Sequence, residues 1–416
     1  MKRYITLLIL LCTMCVSASA QWYLFPGKKK KNPVEKKPVA ADTLLQQSRP
    51  DTAVWHLGAG VDSTTLLPDI QPAPDVFVLD IPSVIHIGLI LPLQASEAEP
   101  NENFLDFYSG ALLALRDLST ASPSLRADLQ VFDSADSKMP LPQSLIDDND
   151  VILGPVSFQD IESAMPLCAD GKVLVSPLDP KAASLSESGA PVIQSPSTWK
   201  AQTDELVRWV REELPFGEVM YVVRDTAAAG FGAQSAYLIE QLIAHGIRYE
   251  SVLNVGELPL LKDRKTRILI ASDRDAFINS AVRAVSIEGA RGSNVVLYGT
   301  SRIRTSSTAQ ADLHNSSAHL AASYFIDYDD PQVRDFILAY RALFRNEPGS
   351  FAFQGYDTMR YFVTLCAKYG RQWYKKLPDY SQKGLQADFR FTEQGGRVNQ
   401  AVRRIVYNPD LTTSCE

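Results

Sequence analysis

Cysteine is scarce in this sequence, five residues in 416, too few for a fold stapled by disulfides. Glycine and proline, at 22 and 25 residues, are too few for a fibrous chain. Basic excess is missing as well. The 41 Lys and Arg face 48 Asp and Glu for a net charge of −7, which argues against a nucleic-acid binder. Catalytic signatures are also wanting: no G-x-S-x-G, H-E-x-x-H or P-loop sequence occurs. The five histidines are scattered, and His314 and His319, at i and i+5, do not make a helical metal pair. Ser197-Thr198-Trp199-Lys200 fits S-x-x-K but lacks the companion S-D-N and K-T-G elements, so Ser197 or Thr198 reads as a helix N-cap. Gly230-Phe231-Gly232-Ala233-Gln234-Ser235 starts seven residues beyond its strand, too late for a dinucleotide loop. No catalytic residue, metal site or cofactor is expected.

What is present begins with an address. Lys2-Arg3, an apolar run over 4–16 and Ala18-Ser19-Ala20 are the three parts of a cleaved export signal at 1–20. The run is too short to span a bilayer, and neither Cys12 nor Cys15 follows the Leu-x-small sequence of a lipoprotein signal. Removing Lys2 and Arg3, and no acid, takes the net charge from −7 to −9. Cys168 and Cys366 remain among apolar neighbours as small core side chains, and Cys415 is expected to be exposed. Residues 21–83 carry repeated prolines, Lys28-Lys29-Lys30-Lys31 and no persistent period, the marks of a disordered linker. Its lysines form either a solvated charge run or a contact for anionic lipid or cell-wall polymer.

Order is expected from Ser83. Val84-Ile85-His86-Ile87-Gly88-Leu89-Ile90-Leu91 reads as a buried strand. Phe104, Phe107, Tyr108, Ala111, Leu112, Leu115 and Leu118 then fall on one helix face. Strands at 129–132, 150–153 and 173–176 surround a helix at 158–170. A second run has helices at 202–213, 234–245 and 275–287 and strands at 219–223, 267–271 and 294–298. Such alternation predicts an α/β protein with two doubly wound lobes built on parallel sheets. Helices at 331–345 and 352–368 follow, and 389–407 reads as a β-hairpin around Gly395-Gly396.

These residues resemble a known family. Gly88-Leu89-Ile90-Leu91-Pro92-Leu93, Tyr108-Ser109-Gly110-Ala111, Val151-Ile152-Leu153-Gly154-Pro155-Val156-Ser157 and Val175-Ser176-Pro177 are similar to the type I periplasmic binding proteins of the leucine/isoleucine/valine-binding branch. So are Phe336-Ile337-Leu338-Ala339-Tyr340, Gly355-Tyr356-Asp357 and Phe391-Thr392-Glu393-Gln394-Gly395-Gly396. Asp106-Phe107-Tyr108-Ser109-Gly110 also resembles a sub-branch of envelope proteins, some fused to LysM modules; no such module occurs here. The C-terminal domain of lipoproteins that activate penicillin-binding proteins is a further relative. The resemblance implies two lobes joined by a three-crossing hinge. Lobe one is expected at 84–196 and 322–383, lobe two at 197–321 and 384–409, with a tail at 410–416.

In such folds the ligand lies between the lobes at the carboxyl ends of the strands, where helix N-termini expose N–H groups to a carboxylate or phosphate. Matching positions here are Ser157 and Phe158 after the third strand, Pro177, Leu178 and Asp179 after the fourth, Ala229 and Gly230 in lobe two, and Thr300, Ser301 and Arg302 after a later strand. Asp179 stands where the family places a Thr, and an acid there repels a carboxylate; it either holds a cationic or hydroxyl-rich ligand instead or satisfies the turn before Pro180. Gln194 replaces the family's Arg, and Ala229 its aromatic wall. Arg302 either meets an anionic group or is a solvated surface base. The expectation is an exported protein, in the periplasm or cell envelope, that binds a small polar solute without chemistry and is not an enzyme. The alternative is an envelope regulator or scaffold contacting cell-wall (peptidoglycan) machinery. Neither a nucleic-acid partner nor a transmembrane segment after cleavage is expected.

Overall fold

A near-continuous apolar strand needs cover on both faces, and the first such run becomes the middle of a sheet. In the computed structural model, which describes residues 79–135, 139–169, 171–227, 230–304 and 307–415, β1 (Ile85–Leu91) lies between two parallel partners. These are β2 (Ala127–Asp133) and β3 (Val151–Leu153). With β4 (Leu174–Ser176) and β5 (Val192–Gln194) they form a five-stranded sheet in the order β2-β1-β3-β4-β5. Helices α1 (Glu102–Ala121), α2 (Gln143–Asp147), α3 (Phe158–Ala164) and α4 (Ala183–Glu187) connect these strands. The chain then crosses to a second sheet through α5 (Trp199–Glu213), β6 (Met220–Arg224), α6 (Ala233–Ala244) and β7 (Tyr249–Val252). It continues with β8 (Thr266–Ala271), α7 (Asp275–Ala290), β9 (Val295–Thr300), α8 (Gln310–Asn315) and β10 (His319–Ala322).

Two helices, α9 (Pro331–Phe344) and α10 (Ser350–Tyr369), return to the first sheet. The third crossing leads to β11 (Arg403–Tyr407) and β12 (Thr413–Cys415), giving a seven-stranded order β12-β11-β10-β9-β8-β6-β7. Strands β6 to β10 pair in parallel, and β11 and β12 are antiparallel. Each sheet therefore has helices on both faces and a core on each side, the expected two-lobed α/β arrangement. The expected export signal, and the linker up to residue 78, lie outside the described residues. Among the described residues no helix is long and apolar enough to cross a membrane.

Three expectations are corrected. The helix expected at 158–170 stops at Ala164 and tightens into a turn at Met165–Leu167, because Pro166 has no N–H to continue the ladder. Residues 389–407 are not one hairpin. Phe389 bridges Gln382, Val398 bridges Gln194, and β11 turns through Asn408 and Leu411 onto β12. Leu385, Phe389 and Phe391 point instead into the first core, since apolar rings there gain more from burial than from hairpin pairing. Cys415 is half-buried against the second core rather than exposed. Burial pushes its thiol above the ordinary value, as it pushes Cys366 up to about 12 and Cys168 up to about 11. All three cysteines are free.

The closest helix packing joins α1 to α10. A Cβ on Gly110 would lie 1.9 Å from the Ala352 carbonyl oxygen, and one on Gly355 would lie 2.0 Å from that of Phe107. Neither approach is possible for a larger residue without moving backbone. Gly355→Ala is therefore expected to cost about 1–3 kcal/mol in chemical denaturation; a midpoint equal to that of the parent would show that the helices are not in this contact.

Candidate functional site

In open parallel sheets the crevice for a ligand opens where strand order reverses, outside the carboxyl ends. Those points fall between β1 and β3 in the first sheet and between β6 and β8 in the second. Loops there bring N–H groups together, and the same feature recurs around them: an internal carboxylate takes the N–H groups. Asp133, ending β2, accepts from the amides of Leu93, Gln94 and Ala95 in the loop after β1. Burial works to raise its carboxyl, but those N–H groups and that of Ala135 outweigh it and hold it below the usual range. Asp273, just beyond β8, accepts from the amides of Gln234 and Ser235 in the first turn of α6, at 3.1 and 2.8 Å, and from the Ser235 hydroxyl. Burial again works upward, the hydroxyl and the two amides outweigh it, and the Asp273 carboxyl sits below its ordinary range.

The residues singled out in the sequence fall into two groups. Ser157, Phe158, Pro177, Leu178 and Asp179 come together at the ends of β3 and β4. Ser157 caps α3 and bonds Asp160. Asp179 accepts from the amides of Phe158 and Lys181, both at 2.9 Å. The Asp179 carboxylate thus serves both the turn before Lys181 and the first amide of α3. Pro177 is buried and offers its carbonyl to Gln354, while Leu178 packs on the first core. The second group lies at the ends of β6 and β9. The Ser301 amide and hydroxyl both donate to Gln202. Arg302 donates to Gln234, to the Asp273 carbonyl and to Asp275, so its guanidinium is engaged within the lobe. With Thr300 it closes a cavity of only about 50 Å³ inside the second lobe, room for a few waters. Ala229 lies outside the described residues.

Gly230 has a steric reason to be glycine. A Cβ there would sit 2.1 Å from the carboxyl carbon of Asp225. Asp225 is buried at the end of β6 and holds Arg274 through two bonds of 2.7 and 2.8 Å, plus the Ser272 hydroxyl and the Ala227 amide. The Arg274 guanidinium, working against burial, pulls this carboxyl down to about 2. Sequence reasoning passed over Asp133, Asp225 and Asp273. Asp133 ends β2, Asp225 directly follows β6 and Asp273 stands two residues past β8, positions that mark them only as strand-end acids.

The junction between the lobes is built differently. Asp357 of α10 is buried and accepts from the amides of Leu385, Gln386 and Ala387 at 2.7, 2.7 and 3.0 Å. Burial pushes its carboxyl up to about 6 against the pull of those amides and of Arg403. Arg403 donates to the carbonyls of Phe325, Leu385 and Gly384 and to Asp388. Asn399 joins the first crossing through Gln194 and Ser195, and Ser323 joins it through Ser197 and Gln202. Thr198, not Ser197, therefore caps α5. Beside this junction opens a cavity of about 740 Å³ lined by residues 324–329 of the second crossing, Ser350 of α10, Gln386, and residues of α8 and the β11–β12 turn. That size suits a small ligand, and none of the ten residues singled out in the sequence lines it. No group of three or more His, Cys, Asp or Glu among the described residues is placed to hold a metal.

No protein-family model matches the chain, and no curated protein is significantly similar to it in sequence. Solved structures are similar. A candidate branched-chain amino acid ABC transporter protein from Rhodospirillum rubrum has a TM-score of 0.55 and 18% identity, covering 78% of this chain and 98% of its own. An ABC transporter substrate-binding protein from Desulfitobacterium hafniense, in complex with Leu, has a TM-score of 0.47 and 17% identity, covering 80% of this chain and 100% of its own. The chain thus has the fold of the type I periplasmic binding proteins.

Asp225 gives the site a pH signature. Its folded pKa lies below the ordinary 3.8, so its contribution is complete above about pH 4 and is lost as pH falls toward 2. Asp225→Asn is expected to flatten the loss of stability between pH 4 and 2 in acid denaturation; an unchanged slope would show that Asp225 is not held by Arg274.

Proposed function

We propose that this protein is exported and, in the periplasm or cell envelope, recognises a small polar solute without chemical change, and that the solute is not held by a carboxylate. The observation that carries this reading is the occupation of the strand ends by internal acids. In this fold a helix N-terminus is a ready seat for an anion. Here the first turns of α3 and α6 donate to Asp179 and Asp273 instead. A ligand carboxylate would have to displace a carboxylate already bonded there and would meet its charge. This supports a solute other than a branched-chain amino acid.

The fold supports recognition by two lobes around a junction, with ligand binding shifting their relative populations. The three thiols are buried or half-buried with raised pKa values, so none is poised as a nucleophile. A thermal-shift series tests the reading. Leucine, isoleucine and valine are expected to leave Tm within about 1 °C, while at least one uncharged polar solute raises it by about 3 °C or more. A comparable rise with leucine, or a covalent change in any solute, contradicts it.

A further inference from the structure

We infer that the end of the second sheet farthest from the crevice is a docking surface for an anionic lipid membrane. Topology builds this surface. In a parallel sheet every strand starts on the same edge, so the loops leading into β9, β8, β6 and β7, neighbours in that order, lie side by side. They are residues 291–294, 261–265, 214–219 and 245–248. Backbone bonds tie them in pairs. The Asn294 amide donates to the Leu261 carbonyl at 3.2 Å, and the Met220 amide to that of Arg248 at 3.0 Å. The carboxyl ends, where the crevice opens, are at the opposite edge, so a contact here leaves the crevice free and is independent of any solute bound there.

Two features coincide on this edge. The first is apolar exposure at convex tips. Phe216, in the Pro215-Phe216-Gly217 turn, is fully exposed, and Gly217, at φ +89°, bends the chain behind it. Leu261, in the neighbouring loop, and Ile243, in the last turn of α6, are 49% and 64% exposed. The second feature is charge. The four loops hold five bases, Arg248, Lys262, Arg264, Lys265 and Arg291, against two acids, Glu218 and Asp263, in a chain whose net charge is −7. Glu218 is paired with Arg267, and Arg291 with Glu288. Arg248, Lys262, Arg264 and Lys265 are exposed and form no ion pair among the described residues. Apolar tips beside unpaired bases suit an anionic bilayer: the tips enter the headgroup layer while the bases stay at the phosphates. A soluble anionic polymer would engage the bases and gain nothing from Phe216 or Leu261.

Co-sedimentation of the full chain with vesicles of equimolar phosphatidylglycerol and phosphatidylcholine tests this, beside vesicles of phosphatidylcholine alone. The variants are Phe216→Ala and the double change Lys262→Glu with Lys265→Glu, all at exposed positions; circular dichroism melts establish that they fold. The N-terminal run and the linker lysines are common to all three proteins, so differences among them report on the loops. The parent is expected to prefer the anionic vesicles, less so as salt rises, and each variant to bind them at least about fivefold more weakly. Equal or no binding of the parent to the two kinds of vesicle overturns the lipid assignment. So does anionic binding that both variants retain in full, which would place the contact elsewhere on the chain. Loss confined to one variant contradicts the joint use of tip and bases, leaving an anionic polymer or an apolar protein partner in place of the membrane.

Discussion

The structure turns on one buried carboxylate. Asp357, fully enclosed on α10, takes three consecutive amides of the third crossing. Burial pushes its carboxyl up to about 6, against the pull of the amides and of Arg403. A buried charge persists only when its hydrogen-bonding capacity is met, and stranding it would cost on the order of 3–5 kcal/mol. The three amides meet that need, and Arg403 adds the opposite charge nearby while collecting three carbonyls of its own from the second and third crossings. Gln386 is set by the same bond, and with it one wall of the neighbouring cavity.

The ends of the strands show a second economy of the same kind. Asp133, Asp179, Asp225 and Asp273 each bind loop or helix amides that the fold would otherwise leave open. This makes the loops stiff and removes the positive partial charge that attracts anions to such positions. The two-lobed architecture is thus kept with these strand-end amides bonded internally.

Much of this architecture can be read from the residues. β1, β6, β8 and β9 are runs of β-branched and other apolar residues long enough to declare themselves. The Gly110 and Gly355 motifs mark a helix contact that only glycine permits. Strands β5, β10 and β12 escape because, unlike the equally short β3 and β4, they lie in no run of three large apolar residues, and β7 because Tyr249-Glu250-Ser251-Val252 is a half-exposed edge. Asp179 could be weighed from its neighbours, since its partners include the turn beside it. Asp273 and Asp357 could not, because they reach amides far along the chain and no local spacing encodes that. The cavity has the same origin: Tyr324, Gln386 and Thr413 meet only after three crossings.

Hydrogen exchange at the Leu385, Gln386 and Ala387 amides measures the central bond directly. If Asp357 fastens the third crossing, these three exchange as slowly as the amides of β1 and β6, one interior strand of each sheet, and open with them near the global unfolding limit. Exchange at the rate of an exposed loop would mean that the crossings are held by something else, and the account of the junction would fail.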